Sequence, residues 1–237
     1  MKRFSFWVLA LLLTACGVPV TATLPPTPQA VVVSYPLSLI PWSALLAECV
    51  DSNPQIALYL FEAAPPAPGI SSQPITLLLG DSSILGAGDT LHQLGWEQII
   101  IIANYQGTFS ALTSEELSDL YTSNPAVSQV WVYDSNSDLQ RIFAAQVLDG
   151  RQPTSQAMLA PSPLAMLEAV ASSQNAIGFL PQSWLSHAHS QLVSSVRLVQ
   201  LEAELSDRLR QPVLAMTDGE PAGASLTVLQ CVTEIGE

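Results

Sequence analysis

The chain has 237 residues, 49% of them apolar, and a formal net charge of −13 from seven basic and twenty acidic residues. That length allows one large or two small domains, and the apolar share is ample for a packed core, which excludes a wholly disordered chain. So acidic a balance excludes nucleic acid and anionic lipid headgroups as electrostatic partners.

In chain order, Lys2 and Arg3 form a short positive segment and Phe4 to Leu13 an apolar run too short to span a bilayer. Leu13-Thr14-Ala15-Cys16 follows and resembles a bacterial lipobox, in which Cys16 is lipidated and becomes the first mature residue. Residues 1–15 are then a signal peptide. The protein is expected to be exported and held by its lipid on the extracytoplasmic side of the cell membrane. Cleavage would leave five arginines, no lysine and twenty acidic residues, a charge of about −15. Membrane association should therefore depend on the lipid and not on basic patches. Cys49 and Cys231 remain as an even pair in an oxidising compartment. A bridge between them would join the first helix to the last; two buried free thiols are the alternative.

Residues 16–30, with Pro19, Pro25, Pro26 and Pro28 among threonines, read as an extended tether. Val31 to Tyr35 reads as a strand, Trp42 to Val50 as an amphipathic helix opened by Pro41, and Ile56 to Phe61 and Ile75 to Leu79 as two more strands. Ile99 to Ala103 is apolar without alternation, the pattern of a parallel strand covered on both faces. Thr113 and Glu116 predict a capping box with a Leu112–Leu117 staple, and Ser137 with Gln140 predicts a second box ahead of Leu139, Ile142, Phe143 and Val147. Ser162-Pro163 starts another helix. Strands follow at Ala176 to Leu180, Val196 to Leu201 and Val213 to Met216, with a last helix over Ala224 to Ile235. Strands alternating with helices predict an α/β class with mixed, mostly parallel sheets.

Three stretches, in order, resemble the phosphate-type periplasmic solute-binding proteins of ABC transporters. They are Ile99 to Asn104 with Leu112 to Tyr121, then Trp131 to Phe143, then Asn175-Ala176-Ile177-Gly178-Phe179-Leu180-Pro181. Pro212 to Met216 and Glu220-Pro221 are similar to that family's last strand and the approach to its last helix. The resemblance implies a two-lobed periplasmic-binding-protein-like fold (type II), with lobe one at 31–103 plus 183–237 and lobe two at 104–182. Cys49 and Cys231 then fall in the same lobe, which favours the bridge.

The family's anion loop reads Arg-x-x-x-Ser-Gly-Thr, with a phenylalanine six residues after the serine. Aligned on Phe143, the serine is Ser137, the arginine position is Tyr133, the glycine is Asp138 and the threonine is Leu139. Only the serine is kept. An anion is normally favoured by the free N–H groups and dipole of a helix N-terminus. Here Asp138 brings its own carboxylate to that first turn, and the bidentate arginine is gone. The scaffold is thus expected to survive without the phosphate site. Arg141 is the nearest remaining cation, and Ser38 lies in the loop after the first strand. Asp81 and Ser82, after the third strand, are the other expected ligand contacts.

Gly80-Asp81-Ser82-Ser83 also resembles the opening of SGNH esterases, whose serine needs a histidine, usually in Asp-x-x-His. Asp89-Thr90-Leu91-His92 has that spacing but lies too near in sequence. No metal or cofactor signature is present. The resemblance implies a monomeric, non-enzymatic lipoprotein that closes on a small ligand for an ABC permease. The alternative is the same fold used as a sensor or partner-binding surface protein.

Overall fold

A computed structural model describes residues 27–51, 53–62, 73–80, 86, 88–123 and 128–236. Cys16, Asp81 and Ser82 lie outside the described residues, as do the signal segment and most of the tether. β1 (Gln29–Tyr35) leads through a 3-10 turn at Leu37–Leu39 into α1 (Ile40–Asp51). β2 (Ile56–Glu62) pairs in parallel along the whole of β1, and β3 (Ile75–Leu79) joins its other edge, also in parallel.

β4 (Asp89–Asn104) then runs for sixteen residues through the middle of the sheet. Sequence patterning locates only its apolar second half, because Thr90, His92 and Gln93 interrupt the first. The expected parallel pairing of Ile99 to Ala103 is corrected: this stretch is antiparallel to β8 (Ala176–Pro181). It reads as a parallel strand because Ile99, Ile101, Ile102 and Ala103 are all buried, and burial on both faces removes alternation whatever the strand direction.

β5 (Ala111–Leu112) precedes α2 (Ser114–Thr122). The predicted capping box is complete there: Glu116 N–H donates to Thr113 Oγ1 (3.2 Å) and Thr113 N–H to Glu116 Oε2 (2.9 Å). β6 (Gln129–Val132) leads to α3 (Asp138–Gln146), where only half of the second box forms. Gln140 N–H donates to Ser137 Oγ (3.1 Å), but the Gln140 side chain turns away to accept from Tyr133 N–H (3.1 Å). Ser137 N–H donates instead to Asp134 O (2.9 Å), so the returning contact has no donor to meet.

β7 (Met158–Leu159) is a short edge, and α4 (Pro163–Ser172) begins with Ser162 Oγ accepting from Ala165 N–H (3.2 Å). α4 packs on β8 at Gly178, where an added Cβ would collide with Met166 Sδ and lie 3.1 Å from Val170 Cγ2. A glycine inside a strand marks such a close approach. Beyond β8 come α5 (Ser183–His187), α6 (Ser190–Ser194), β9 (Val196–Leu198), β10 (Gln200–Leu201) and α7 (Ala203–Arg208). The single strand expected over Val196 to Leu201 is therefore two short pieces, β9 on β4 and β10 on β5. β11 (Arg210–Asp218) and α8 (Gly223–Gly236) close the fold.

Among the described residues, nine strands form one mixed sheet in the order β2-β1-β3-β11-β4-β8-β6-β7, with β9 also on β4. Its flanks are parallel and its centre, around β4 and β11, is antiparallel. Pro212 lies within central β11 next to a register shift at Val213/Leu214, the place where a residue without N–H is tolerated. β4 changes partner between Gln98, which faces β11, and Ile99, which faces β8. The sheet thus has two halves that share one strand, the two-lobed arrangement.

The second half is filled by an aromatic cluster, with Phe143 stacked on Phe179 at 3.9 Å and Tyr121 and Tyr133 packed around them. In the first half α1 and α8 lie side by side, and Cys49 is bonded to Cys231 across 182 residues with their Cα atoms 5.8 Å apart. No helix among the described residues is long and apolar enough to cross a membrane.

Candidate functional site

A cleft of about 410 Å³ opens where the two halves of the sheet face each other. One wall is the end of β1 with Tyr35, Pro36 and Leu37, backed by Thr76 to Leu79 of β3; the other is the start of α3, from Asn136 to Arg141. Strand ends and a helix start meet here because the crossing strand turns both halves toward one crevice, the usual ligand position in open α/β sheets. The floor is largely apolar. The polar side chains are Ser34 and Thr76 on the sheet side and Asn136, Ser137, Asp138 and Arg141 around the start of α3.

Asp138 dominates those groups. Its Oδ2 accepts from the hydroxyl of Ser38, which belongs to the opposite wall, and its Oδ1 accepts from Leu139 N–H (2.8 Å). Burial pushes the Asp138 carboxyl above the usual aspartate range, against the opposing pull of the Ser38 hydroxyl, the Leu139 N–H and the Arg141 charge. The remaining donors of the first helical turn are also engaged: Gln140 N–H by Ser137 Oγ, and Arg141 N–H by Ser137 O (3.1 Å). An incoming anion would have to displace Asp138 to reach this helix start.

Ser38 is 2% exposed and sits behind the cleft wall, its carbonyl accepting from Trp184 Nε1 (3.0 Å). Ser137 caps α3 while lining the cleft, and Arg141 lines it one helical turn beyond Asp138. These four sequence-selected residues therefore converge. Tyr133 does not join them. Its ring is 3% exposed in the aromatic cluster, its hydroxyl donates to Phe179 O (2.8 Å), and burial raises its pKa well above the tyrosine norm. The Tyr133 side chain thus points into the core, where an aromatic ring gains more than it would in a polar cleft.

Sequence reasoning missed Tyr35, Leu37 and Leu79, which shape the apolar floor. Their signal was positional, since each follows or ends a strand that the apolar runs had located. It also missed Glu97, a buried carboxylate in β4 that accepts from Trp42 Nε1 (2.9 Å) and Ser183 N–H (3.2 Å). This contact ties α1 and the start of α5 to the strand shared by the two halves.

No family model matches this chain, and no curated protein matches it either. Solved structures do. A putative phosphate ABC transporter substrate-binding protein with bound phosphate from Clostridium perfringens is 16% identical, with a TM-score of 0.67 over 86% of this chain and 93% of the other. An ABC-type phosphate transport receptor from Vibrio cholerae is 15% identical, with a TM-score of 0.59 over 87% and 94%. The reduced regulatory domain of OxyR2 from Vibrio vulnificus is 14% identical, with a TM-score of 0.63 over 90% and 98%. At these identities the likeness is one of fold, the periplasmic-binding-protein-like fold, which serves transport receptors and regulatory domains alike.

Proposed function

We propose that this chain is a solute-binding lipoprotein that holds a small ligand in the cleft between two lobes and delivers it to an ABC importer. The observation that carries this reading is the cleft, whose apolar floor and few convergent polar groups suit a small solute. The fold shared with phosphate receptors supports it. The lobes are proposed as about 31–103 with 183–237 and about 104–182, with the hinge near the change of strand partner in β4. Ser38, Ser137, Asp138 and Arg141 would determine what the cleft accepts, with Asp81 and Ser82 as further contacts. Lipid on Cys16 and a signal over 1–15 would hold the protein at the outer face of the membrane. No bond is made or broken: the ligand need only bind the closed arrangement more tightly than the open one.

The test is a thermal-shift screen of the full-length protein in detergent against oxyanions, amino acids, sugars and metal ions. A ligand at one hundred times its dissociation constant should add about 2.7 kcal/mol. Inorganic phosphate should give no micromolar binding by calorimetry, because Asp138 occupies the helix start. A screen in which nothing shifts the transition would overturn the solute-binding reading. A second reading, as a sensor or partner-binding surface lipoprotein, draws on Asp138 standing where the transport family keeps a glycine. It predicts that ligand binding persists in cells while uptake of that ligand is unchanged by deletion of the gene.

A further inference from the structure

We propose that Asp138 is a tethered stand-in for a ligand: it bridges the cleft to Ser38 and so holds the two lobes together while the cleft is empty. This rests on the reading of the cleft as the ligand site and adds how that site is regulated. Three observations converge on it. The carboxylate belongs to α3, on one wall, whereas its hydroxyl partner belongs to the turn after β1, on the other, one hundred residues away in the chain. The turn is itself anchored, because Trp184 Nε1 in α5 donates to the Ser38 carbonyl (3.0 Å). The end of β3 also approaches α3 closely: a Cβ added at Gly80 (φ +73°) would lie 3.2 Å from Ile142 Cδ1.

The chemistry is that of a bound oxyanion. A ligand anion in a two-lobed binder accepts from the helix start on one side and from a hydroxyl on the other, and its charge is what both sides share. Asp138 performs both acceptances with a carboxylate supplied by the chain. Leu139 N–H and Ser38 Oγ–H each donate to it. Closure then does not wait for a ligand. A solute that enters must either offer a donor to the carboxylate or break its bond to Ser38, and the affinity for a ligand that must break that bond is reduced by the stability of the bridge.

Hydrogen–deuterium exchange on the ligand-free, full-length protein tests this, with each substitution read on the wall opposite to it. Ser38→Ala leaves the cap of α3 intact, yet it should speed exchange of the Leu139 and Gln140 amides about tenfold, the ratio set by one hydrogen bond to a charged acceptor. Asp138→Ala leaves the turn's own Leu39 N–H to Pro36 O bond intact, yet it should speed exchange at Leu39 by a similar factor. Amides of Ile99 to Ala103 in β4 should keep wild-type rates in both, which separates opening of the cleft from unfolding. Wild-type exchange across the cleft in either variant, with β4 unchanged, overturns the proposal. Because no ligand is used, a failed ligand screen and a failed bridge are separate results.

Discussion

Reducing the Cys49–Cys231 bond tests how far the first lobe depends on its covalent tie. The bond closes a loop of 182 residues, nearly the whole described chain, and releasing it returns that entropy to the unfolded state. By chain entropy the loop is worth roughly 5 kcal/mol, and measured bridges usually give about 2–4 kcal/mol. The lower part of that range is expected here, because a compact unfolded ensemble leaves less loop entropy for the bond to remove than the ideal chain does. With a urea slope of about 2–3 kcal/mol/M, the midpoint should fall by about 1 M on reduction. The slope should also steepen, since the uncrosslinked unfolded chain exposes more surface. The assay is urea unfolding of the same preparation, oxidised and reduced, followed by tryptophan fluorescence. Coincident midpoints would refute the reasoning and mean that packing between the two helices already supplies the closure.

Three further outcomes follow from single contacts. Glu97→Ala strands the Trp42 and Ser183 N–H groups and should cost about 2–4 kcal/mol, whereas Glu97→Gln keeps an acceptor oxygen and should cost less; equal urea midpoints for the two would contradict this. Tyr133→Phe leaves the Phe179 carbonyl without its donor and should cost about 1–2 kcal/mol while leaving ligand affinity unchanged. A loss of affinity without a loss of stability would return Tyr133 to the cleft. For Asp138 the native state raises the pKa, so the folded protein holds that proton more tightly than the unfolded one. Wild-type stability should therefore decline, relative to Asp138→Asn, as pH rises from the ordinary aspartate range through the raised native value, and the deficit should vanish below the ordinary aspartate range. Parallel stability–pH curves for the two proteins would show that burial does not perturb this group.

Much of the fold is legible because its signals are local. The capping box at Thr113 and Glu116 and the proline start at Pro163 require only a few adjacent residues, and each forms as the spacing predicts. The box at Ser137 and Gln140 fails by half for a nonlocal reason, since the Gln140 side chain satisfies the buried N–H of Tyr133. The first half of β4 was illegible because its hydrogen bonds are made to β11, more than a hundred residues later in the chain, and not by any apolar alternation of its own. The short helices α5 to α7 have too few residues for a period to show.

The candidate site divides in the same way. The sequence offered Ser137 as a helix cap and two thiols able to pair, because those are statements about residue type and spacing, and the resemblance drew attention to Asp138 beside that cap. Whether Tyr133 faces ligand or core, and which hydroxyl meets the Asp138 carboxylate, depends on segments remote in the chain being brought together. Only tertiary packing does that. The strand shared by the two halves brings the turn after β1 against α3, and this juxtaposition turns the aspartate of the first helical turn into a contact across the cleft.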